Sequence, residues 1–376
     1  MIHRFDITVD PGLEDIAAAE AGERLAAAGL QAECIEGPLG LPGHIEVRST
    51  AEPEELLPRL EELHTAYYLM RVHDSVDLAP GMPSVGGSKP HPGNPTAREE
   101  GAEASLEPLY ERLRSVEIPE LERAASFCVR TRRVGKQSFS SPEVEREAGG
   151  ILWKRFGTPV NLSEPECTVR VDVTGNVARI GVLYGRDSLN KRFNWVWRPR
   201  VTLRNTLAYG MLRLGGYLDL PPGSALLDPF CGSGTIPVEA ASLREDTRLL
   251  ASDWDPEAVA GARRNLEATG FSARIELREA NALAMEESYG GGSAGLIVTN
   301  PPFGVRLAKE TNMLGFYNAF LREARRVLEP GGKLVILVGR KRKLFNSAVE
   351  RSGAWRIVHV RIVEFGGIFP GVFVLE

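Results

Sequence analysis

Short apolar runs alternate with amphipathic stretches along the second half of this chain. From about residue 224 onward, five such runs predict strands: ALLDPF, RLLASD, RIELREA, GLIVTN and KLVILVG. Because these runs are continuously apolar, they are typical of a parallel sheet that is buried on both faces. From residue 355 the pattern predicts two more strands joined by a short Gly-Gly connection, so we expect an antiparallel pair appended to that sheet.

The first half of the chain predicts two smaller α+β units. Residues 3–37 have the pattern of strand, turn, helix and strand, and HIEVRS adds a further strand. A second unit begins with a strand near Phe127, continues into a helix capped by Ser141, and ends in a hairpin around Gly175 and Asn176. Residues 77–105 are rich in Pro, Gly and Ser, so we expect a flexible loop between the two units.

Composition narrows the class of protein. With 376 residues the chain is long enough for two or three domains. It has no apolar run of about 18 residues and its start lacks the features of a signal peptide, so we expect a cytoplasmic protein. The four cysteines are far apart and lack CxxC spacing, which argues against a disulfide framework or a zinc site: Cys34, Cys128, Cys167 and Cys231.

The charges are divided unevenly along the chain. The net charge of −5 argues against a nucleic-acid partner, but residues 1–127 hold 10 Lys/Arg against 24 Asp/Glu, whereas residues 128–376 hold 35 against 26. Seven basic residues fall within 128–155 and another seven within 186–213, the latter interleaved with Phe193, Trp195 and Trp197. Basic groups meet phosphates and aromatic rings stack on unpaired bases, so this pattern favours RNA. For Trp195 and Trp197, packing in a core is an equally good explanation.

The segment DPFCGSGTIPVEAA predicts a strand, a glycine turn and a helix. Gly232 and Gly234 let the backbone bend tightly and approach a ligand, and the start of the helix offers N–H groups. A dinucleotide-binding turn would have glycine where Pro237 stands, and the Gly-Lys-Ser/Thr of a P-loop is absent. The turn therefore predicts a ligand other than a pyrophosphate or triphosphate, unless it is a plain turn without a ligand.

Polar residues follow the next two strands. Asp253 ends the second strand, where an acidic side chain is placed to accept the hydroxyls of a ribose, and Trp254 could pack against an adenine. We expect Asp255 to cap the following helix, which would leave Asp253 available. Asn281 ends the third strand and could bond an adenine edge or simply form a turn.

Taken in order, DPFCGSGTIPVEAA, SDWDPEAV, NAL and NPPFG resemble the motifs of class I S-adenosylmethionine-dependent methyltransferases that modify amino groups. The resemblance covers roughly residues 200–376 and implies a Rossmann-like seven-stranded domain with S-adenosylmethionine as cofactor. That family usually carries Asp where this chain has Asn281. The resemblance implies cofactor contacts at these residues: Asp228, Phe230, Cys231, Gly232, Ser233, Gly234, Thr235, Asp253, Trp254, Asn281, Ala282 and Asn300.

The Asn-Pro-Pro-Phe motif at 300–303 suits methyl transfer to an exocyclic amine. The Asn300 side-chain oxygen and the Pro301 carbonyl can each accept one N–H of the amine and so aim its lone pair. Pro301 and Pro302 fix the backbone, and Phe303 can stack on the target base. No metal is required for this chemistry, and a base within a helix must be flipped out first.

VRTRRVGKQSFSSPEVEREAGGIL and the hairpin that follows resemble the RNA-binding THUMP domain, and PGLEDIAAAE resembles the ferredoxin-like start of THUMP methyltransferases. We expect a ferredoxin-like domain over 1–76, a flexible loop over 77–104, a THUMP domain over 105–187, a linker with a leading helix over 188–222 and the methyltransferase domain over 223–376. The basic clusters predict RNA contacts at Arg130, Arg132, Arg133, Lys136, Lys191 and Arg192.

The whole pattern most resembles the THUMP-domain RNA guanine-N2 methyltransferases. This resemblance implies methylation of the exocyclic N2 of a guanosine in tRNA, at position 6 of the acceptor stem. We expect the enzyme to be a monomer. Methylation of ribosomal RNA is the alternative within the same chemistry. A non-catalytic RNA-binding module is the alternative of a different class.

Overall fold

The structure is a computed structural model that describes residues 1–79, 105–185, 188–200, 202–302, 313–339, 341–364 and 367–376. It forms two compact units. The first contains residues 1–8, 18–63 and 67–188, and the second contains residues 9–17, 64–66 and 189–376. The predicted flexible loop over 77–104 lies outside the described residues except for 77–79. Among the described residues, no helix is both long and apolar enough to cross a membrane.

A seven-stranded sheet forms the first unit. Its strands, in chain order, are β1 (His3–Thr8), β2 (Glu33–Glu36), β3 (His44–Ser49), β4 (Tyr68–Asp77), β5 (Phe127–Val134), β6 (Cys167–Thr174) and β7 (Val177–Tyr184). The helices are α1 (Glu14–Ala27), which begins in the second unit, α2 (Pro53–Glu61), α3 (Glu107–Leu113), α4 (Pro119–Arg123) and α5 (Ser141–Phe156). The spatial order of the strands is β2-β3-β1-β4-β7-β6-β5.

Strands β4 and β7 join the two halves of this sheet. They pair in antiparallel fashion from Leu69 opposite Tyr184 to Asp77 opposite Val177. The ferredoxin-like and THUMP segments expected from the sequence therefore share one continuous sheet. Within the THUMP segment, β6 and β7 form the predicted hairpin, and Gly175 takes a φ of 54°, which glycine adopts without steric cost.

The two faces of the THUMP strands differ in chemistry. Alternate residues such as Val129, Val171 and Ile180 are buried in an apolar core with the helices of this unit. Intervening positions carry charge. Arg179 is buried and its guanidinium bonds the Asp6 carboxylate at 2.7 Å. Because removal of Asp6 would leave the buried Arg179 charge without this carboxylate, the pair fixes β7 relative to β1.

The second unit contains the methyltransferase-like sheet. Its strands are β8 (Ala225–Asp228), β9 (Arg248–Asp253), β10 (Ile275–Glu279), β11 (Ala294–Thr299), β12 (Leu328–Val338), β13 (Ile357–Ile362) and β14 (Gly371–Leu375). The helices are α6 (Asn205–Gly215), α7 (Thr235–Leu243), α8 (Pro256–Thr269), α9 (Met285–Tyr289), α10 (Met313–Val327) and α11 (Arg342–Ser352). The strand order is β10-β9-β8-β11-β12-β14-β13.

Strand directions in this sheet follow the apolar pattern. The first five strands are parallel, and β14 pairs antiparallel with both β12 and β13. An apolar core covers each face of this sheet, and successive residues of a strand, such as Ile297 and Val298, pack into opposite cores. This is why the strand sequences are continuously apolar. The predicted Rossmann-like fold with an appended antiparallel pair is confirmed. The order reverses between β8 and β11, where open α/β sheets bind ligands.

Residues 193–200 lie against helix α8 of the same unit. Phe193 and Trp195 pack on the apolar core, and the Trp197 ring covers Gly261, so core packing accounts for both tryptophans. Asn194, Val196 and the residues at 198 and 200 alternate with them and are exposed. This segment is therefore an extended band with an aromatic inner side and a polar, partly basic outer side.

We expect Gly261→Ala to destabilise the protein, although alanine normally favours a helix interior. An ideal Cβ at Gly261 would lie 2.2 Å from Trp197 Cδ2, so the ring and the helix must separate. Overpacking of this kind costs about 1–3 kcal/mol. The measurement is the denaturant midpoint of the unfolding transition.

The matched control is Gly22→Ala in helix α1, where an added Cβ meets no atom within 4 Å. We expect that change to raise stability by about 0.5–1 kcal/mol. If Gly261→Ala were as stabilising as Gly22→Ala, the packing of Trp197 on α8 would be refuted.

Candidate active site

Three strand ends bring the predicted site residues together. Asp228 ends β8, Asp253 ends β9 and Asn300 directly follows β11. The Thr299 hydroxyl donates to Asp228 Oδ1 at 2.7 Å, and the Gly232 N–H donates to Asp253 Oδ2 at 3.0 Å. Because these contacts cross between neighbouring strands, the carboxyl ends of β8, β9 and β11 form one site.

The glycine turn connects β8 to α7. Gly232 has a φ of 52° and Gly234 a φ of 87°, so both need the left-handed region. The Cys231 N–H donates to the Ser252 carbonyl at 2.9 Å, which ties the turn to β9. An added Cβ at Gly232 would meet nothing within 4 Å, so open space lies beside the turn. A bound group can therefore approach the backbone there.

Asp253 is held by backbone donors. Asp255 caps α8 by accepting from the Glu257 N–H at 2.9 Å, as predicted. Asp253 does not cap the helix, and its two oxygens accept from the N–H groups of Gly232 and Asp255. Burial raises the pKa of Asp253. A carboxylate oxygen has two lone pairs, so each can still accept a ribose hydroxyl.

The predicted adenine contacts lie at the surface of the same site. The Trp254 side chain is 67% exposed and follows Asp253 directly. Asn281 is exposed, and its Oδ1 accepts from the Leu283 N–H at 2.9 Å. Asn281 therefore shapes the turn after β10, while Ala282 is buried beneath it. Trp254 is the larger surface available to a planar ring.

One buried carboxyl oxygen and one buried amide oxygen in this site have no hydrogen-bond partner among the described residues. They are Asp228 Oδ2 and Asn300 Oδ1. Buried polar atoms are normally paired, so unpaired ones mark positions where a ligand supplies the missing donor or charge. With the glycine turn and Asp253 beside them, they fit a positively charged cofactor that carries a ribose.

The described part of the Asn-Pro-Pro-Phe motif is rigid. Pro301 is buried and Pro302 is exposed. Neither proline has an N–H group, so the backbone here presents carbonyl acceptors only. Phe303 lies outside the described residues. On the same side of the sheet, Phe230 packs against Phe316 and Phe320 with ring centroids 5.8 and 5.5 Å away.

Sequence reasoning missed Asn265. This fully buried residue of α8 accepts from the N–H groups of Val196 and Trp197 and donates to the carbonyls of Trp197 and Ser233 at 2.8 and 2.9 Å. It therefore fastens the 193–200 band to the glycine turn. An asparagine in the buried stripe of a helix was the available signal, since such an amide must find several partners.

Comparison with known proteins identifies the two parts of the chain. The family described as "RMKL-like, methyltransferase domain" matches residues 196–370, and the THUMP domain family matches residues 103–183. The tRNA (guanine(6)-N2)-methyltransferase of Thermus thermophilus is 41% identical over 69% of this chain and 74% of its own length. This chain belongs to the THUMP-domain tRNA guanine-N2 methyltransferases.

Other comparisons agree with this family. The tRNA (guanine(6)-N2)-methyltransferase of Archaeoglobus fulgidus is 30% identical over 72% of this chain and 74% of its own length. The crystal structure of TrmN from Thermus thermophilus is 33% identical, with a TM-score of 0.77 over 100% of this chain and 99% of that one. The predicted methyl donor of this methyltransferase, S-adenosylmethionine, is confirmed with the family.

The arginines predicted to bind RNA make contacts within their own units. Arg130 donates to the Leu162 carbonyl at 2.7 Å, and Arg132 bonds His44 Nε2 at 2.8 Å. Lys136 is exposed on the loop after β5. Arg133 bonds Ser141 Oγ, and Lys191 is exposed.

Arg192 has a structural role in the methyltransferase unit. Its guanidinium bonds both carboxylate oxygens of Glu239, a fully buried residue of α7, at 2.8 and 2.9 Å. It also donates to the His64 carbonyl at 3.0 Å. The positive charge of Arg192 is balanced by the buried carboxylate of Glu239. Arg192 is therefore a poor candidate for the RNA contact that the sequence predicts.

We expect Trp254→Ala to weaken the binding of S-adenosylmethionine about tenfold, in line with the loss of one aromatic stacking contact. Because the ring is largely exposed, the unfolding midpoint should stay unchanged. Isothermal titration with the cofactor measures the first effect and thermal unfolding the second.

Trp153→Ala is the control for this change. Trp153 is also exposed, at 52%, but it lies on α5 of the first unit. Its replacement should leave the dissociation constant of the cofactor unchanged. Equal cofactor affinities for both variants and the parent would exclude Trp254 from the cofactor site.

Proposed function

We propose that this enzyme methylates the exocyclic N2 of guanosine 6 in the acceptor stem of tRNA. Relatives from two organisms, with identities of 41% and 30%, carry the name tRNA (guanine(6)-N2)-methyltransferase. The THUMP domain and the methyltransferase domain together account for residues 103–183 and 196–370 of this chain. This kinship supports the proposed substrate and the proposed position.

The unpaired amide oxygen of Asn300 carries the chemical part of the proposal. The lone pair of the guanine amine is delocalised into the ring, which makes the amine a poor nucleophile. Asn300 Oδ1 accepts one N–H and the Pro301 carbonyl accepts the other, so the lone pair is aimed and the developing positive charge is stabilised. S-adenosylmethionine, when bound, supplies the electrophilic methyl group.

The residues around Asn300 hold this acceptor in place. Strand β11 is buried up to Thr299, whose hydroxyl is bonded to Asp228, and Pro301 fixes the backbone on the other side. Phe303 is proposed to stack on the guanine after the base leaves the helix. Because the acceptors are held before the substrate arrives, little reorganisation is needed at the moment of transfer.

The proposed RNA contacts are basic residues that are exposed on each unit taken by itself. Lys136 lies on the first unit, and Lys191, Arg198 and Arg200 lie on the second. Arg130 and Arg132 use part of their five N–H donors within the protein and can offer the others to phosphates. Contacts of this kind read the shape and charge of an RNA helix rather than its sequence.

The substrate assignment is tested with labelled S-adenosylmethionine and purified RNAs. We expect label in a tRNA transcript that has guanosine at position 6, and none when that base is replaced by adenosine. Mass mapping of the modified tRNA locates the methyl group. Labelling of ribosomal RNA but not of tRNA would refute the proposal in favour of the alternative substrate.

Asn300→Ala should retain cofactor affinity and lose at least ~10²-fold in the rate of methyl transfer, as expected when one oriented polar partner of the transition state is removed. Single-turnover kinetics with saturating tRNA measure the rate, and titration with S-adenosylmethionine measures the affinity. Asn346→Ala, at an exposed position on α11, is the matched control and should behave as the parent. An unchanged rate for Asn300→Ala would remove Asn300 from the mechanism.

A further inference from the structure

The carboxyl group of Asp228 is buried at the centre of the site, with only 1% of the residue exposed. Its Oδ1 accepts from the Thr299 hydroxyl at 2.7 Å and from the Phe230 N–H at 3.2 Å. One oxygen of this carboxylate is therefore fully hydrogen-bonded, whereas the other, Oδ2, has no partner among the described residues and lies where a ligand is expected to bind.

The groups that the structure describes around Asp228 offer no positive charge. Asp253 on β9 is a second carboxyl, Cys231 in the turn is a thiol, and Tyr289 at the end of α9 is a phenol. Thr299 on β11 and the Phe230 backbone contribute neutral donors. Among the described residues no lysine, arginine or histidine acts on Asp228. The described part of the site is therefore acidic and favours a cation beside Asp228.

Burial has a clear effect on this carboxyl. Desolvation is the largest cause, and together with the charge of Asp253 it raises the pKa of Asp228 to about 7, against the opposing bonds from Thr299 and Phe230. Near neutral pH the carboxyl therefore carries a proton in about half of the molecules when no cation is present. A cation placed beside it would favour the ionised form and expel that proton.

The position of Asp228 relative to the chemistry indicates which cation this is. Thr299, which bonds Asp228, is directly followed by Asn300, the acceptor proposed for the guanine amine. During transfer the methyl group passes to that amine, so the sulfur that carries it must lie close by. The sulfur is positive in the methyl donor and neutral in the product, S-adenosylhomocysteine. The ammonium and carboxylate groups are the same in both.

We propose that Asp228 distinguishes the methyl donor from the product by the charge on sulfur, because its unpaired oxygen pairs with the positive sulfur of the donor and finds no such charge in the product. This inference rests on the proposed function, since it places the reacting sulfur next to Asn300. The protons balance. The amine loses one proton to solvent as its new N–C bond forms, and once the charge on sulfur has disappeared Asp228 takes up from solvent the half proton that donor binding released at pH 7.

This role sets the sign of the pH dependence. A proton on Asp228 competes with the donor, so the dissociation constant of the donor rises as the pH falls below about 7, approaching tenfold per pH unit. The affinity of the product has no such dependence. The preference for donor over product should therefore increase between pH 6 and pH 8, which favours product release after transfer.

The experiment is isothermal titration of the full-length enzyme with each ligand, at pH 7, in phosphate and in Tris. The two buffers differ in ionisation enthalpy, so the difference in heat gives the number of protons released. We expect about half a proton released per S-adenosylmethionine bound and close to none per S-adenosylhomocysteine. Asp228→Asn should abolish the release and weaken donor binding at pH 8 at least tenfold while leaving product binding unchanged.

Two further variants sharpen the test. Asp219→Asn changes an exposed carboxyl of the same unit and should release protons as the parent does. Thr299→Val keeps the Asp228 carboxyl but removes a donor that favours its ionised form, so the midpoint of the pH dependence should move to higher pH. This shift tests the proposal even if Asp228→Asn does not fold.

The outcomes separate this inference from the proposed function. Equal proton release with both ligands would overturn the role of the sulfur charge and leave the methyltransferase assignment intact. Release that persists in Asp228→Asn would assign it to another group and overturn the role of Asp228. If the unsubstituted enzyme bound neither ligand, the role of Asp228 and the assignment of the cofactor site would both be refuted.

Discussion

Burial of the parallel sheet on both faces is the constraint on which the rest of the site depends. Strands β8, β9 and β11 have apolar side chains over almost their whole length, and polar groups appear where the strands end. Asp228 and Thr299 thus lie at the boundary between core and ligand, where desolvation is strong and donors are few. Unusual carboxyl chemistry follows directly from that position.

Buried polar groups whose hydrogen bonds are all made within the protein have a structural role in this molecule. Those that lack a partner among the described residues are candidates for binding a ligand. Asn265 uses its amide in four hydrogen bonds, and Glu239 is paired with Arg192, so both hold segments together. Asp228 and Asn300 each keep an acceptor without a partner among the described residues. Replacing Asn265 or Glu239 would destabilise the fold, because the groups that they bond would be left buried and unpaired. Asp228 and Asn300 each have an acceptor that a ligand can still bond.

Features with local causes could be predicted from the sequence. The five parallel strands, the glycine turn and the cap at Asp255 each arise from a few neighbouring residues. The helix cap before α5 was missed by one residue, since Ser140 rather than Ser141 accepts from Glu143 N–H. The joining of β4 to β7 and the pairing of Arg192 with Glu239 depend on residues far apart in the sequence, which no local pattern specifies.

The count of basic residues was a weaker guide to RNA contacts than their surroundings. The arginines expected at an RNA surface all bond groups of their own unit: Arg130, Arg132, Arg133 and Arg192. An arginine that neutralises a buried carboxylate adds nothing to the external field, whereas one bonded to a carbonyl keeps its charge. Arg192 therefore drops out of the positive surface that the sequence indicates.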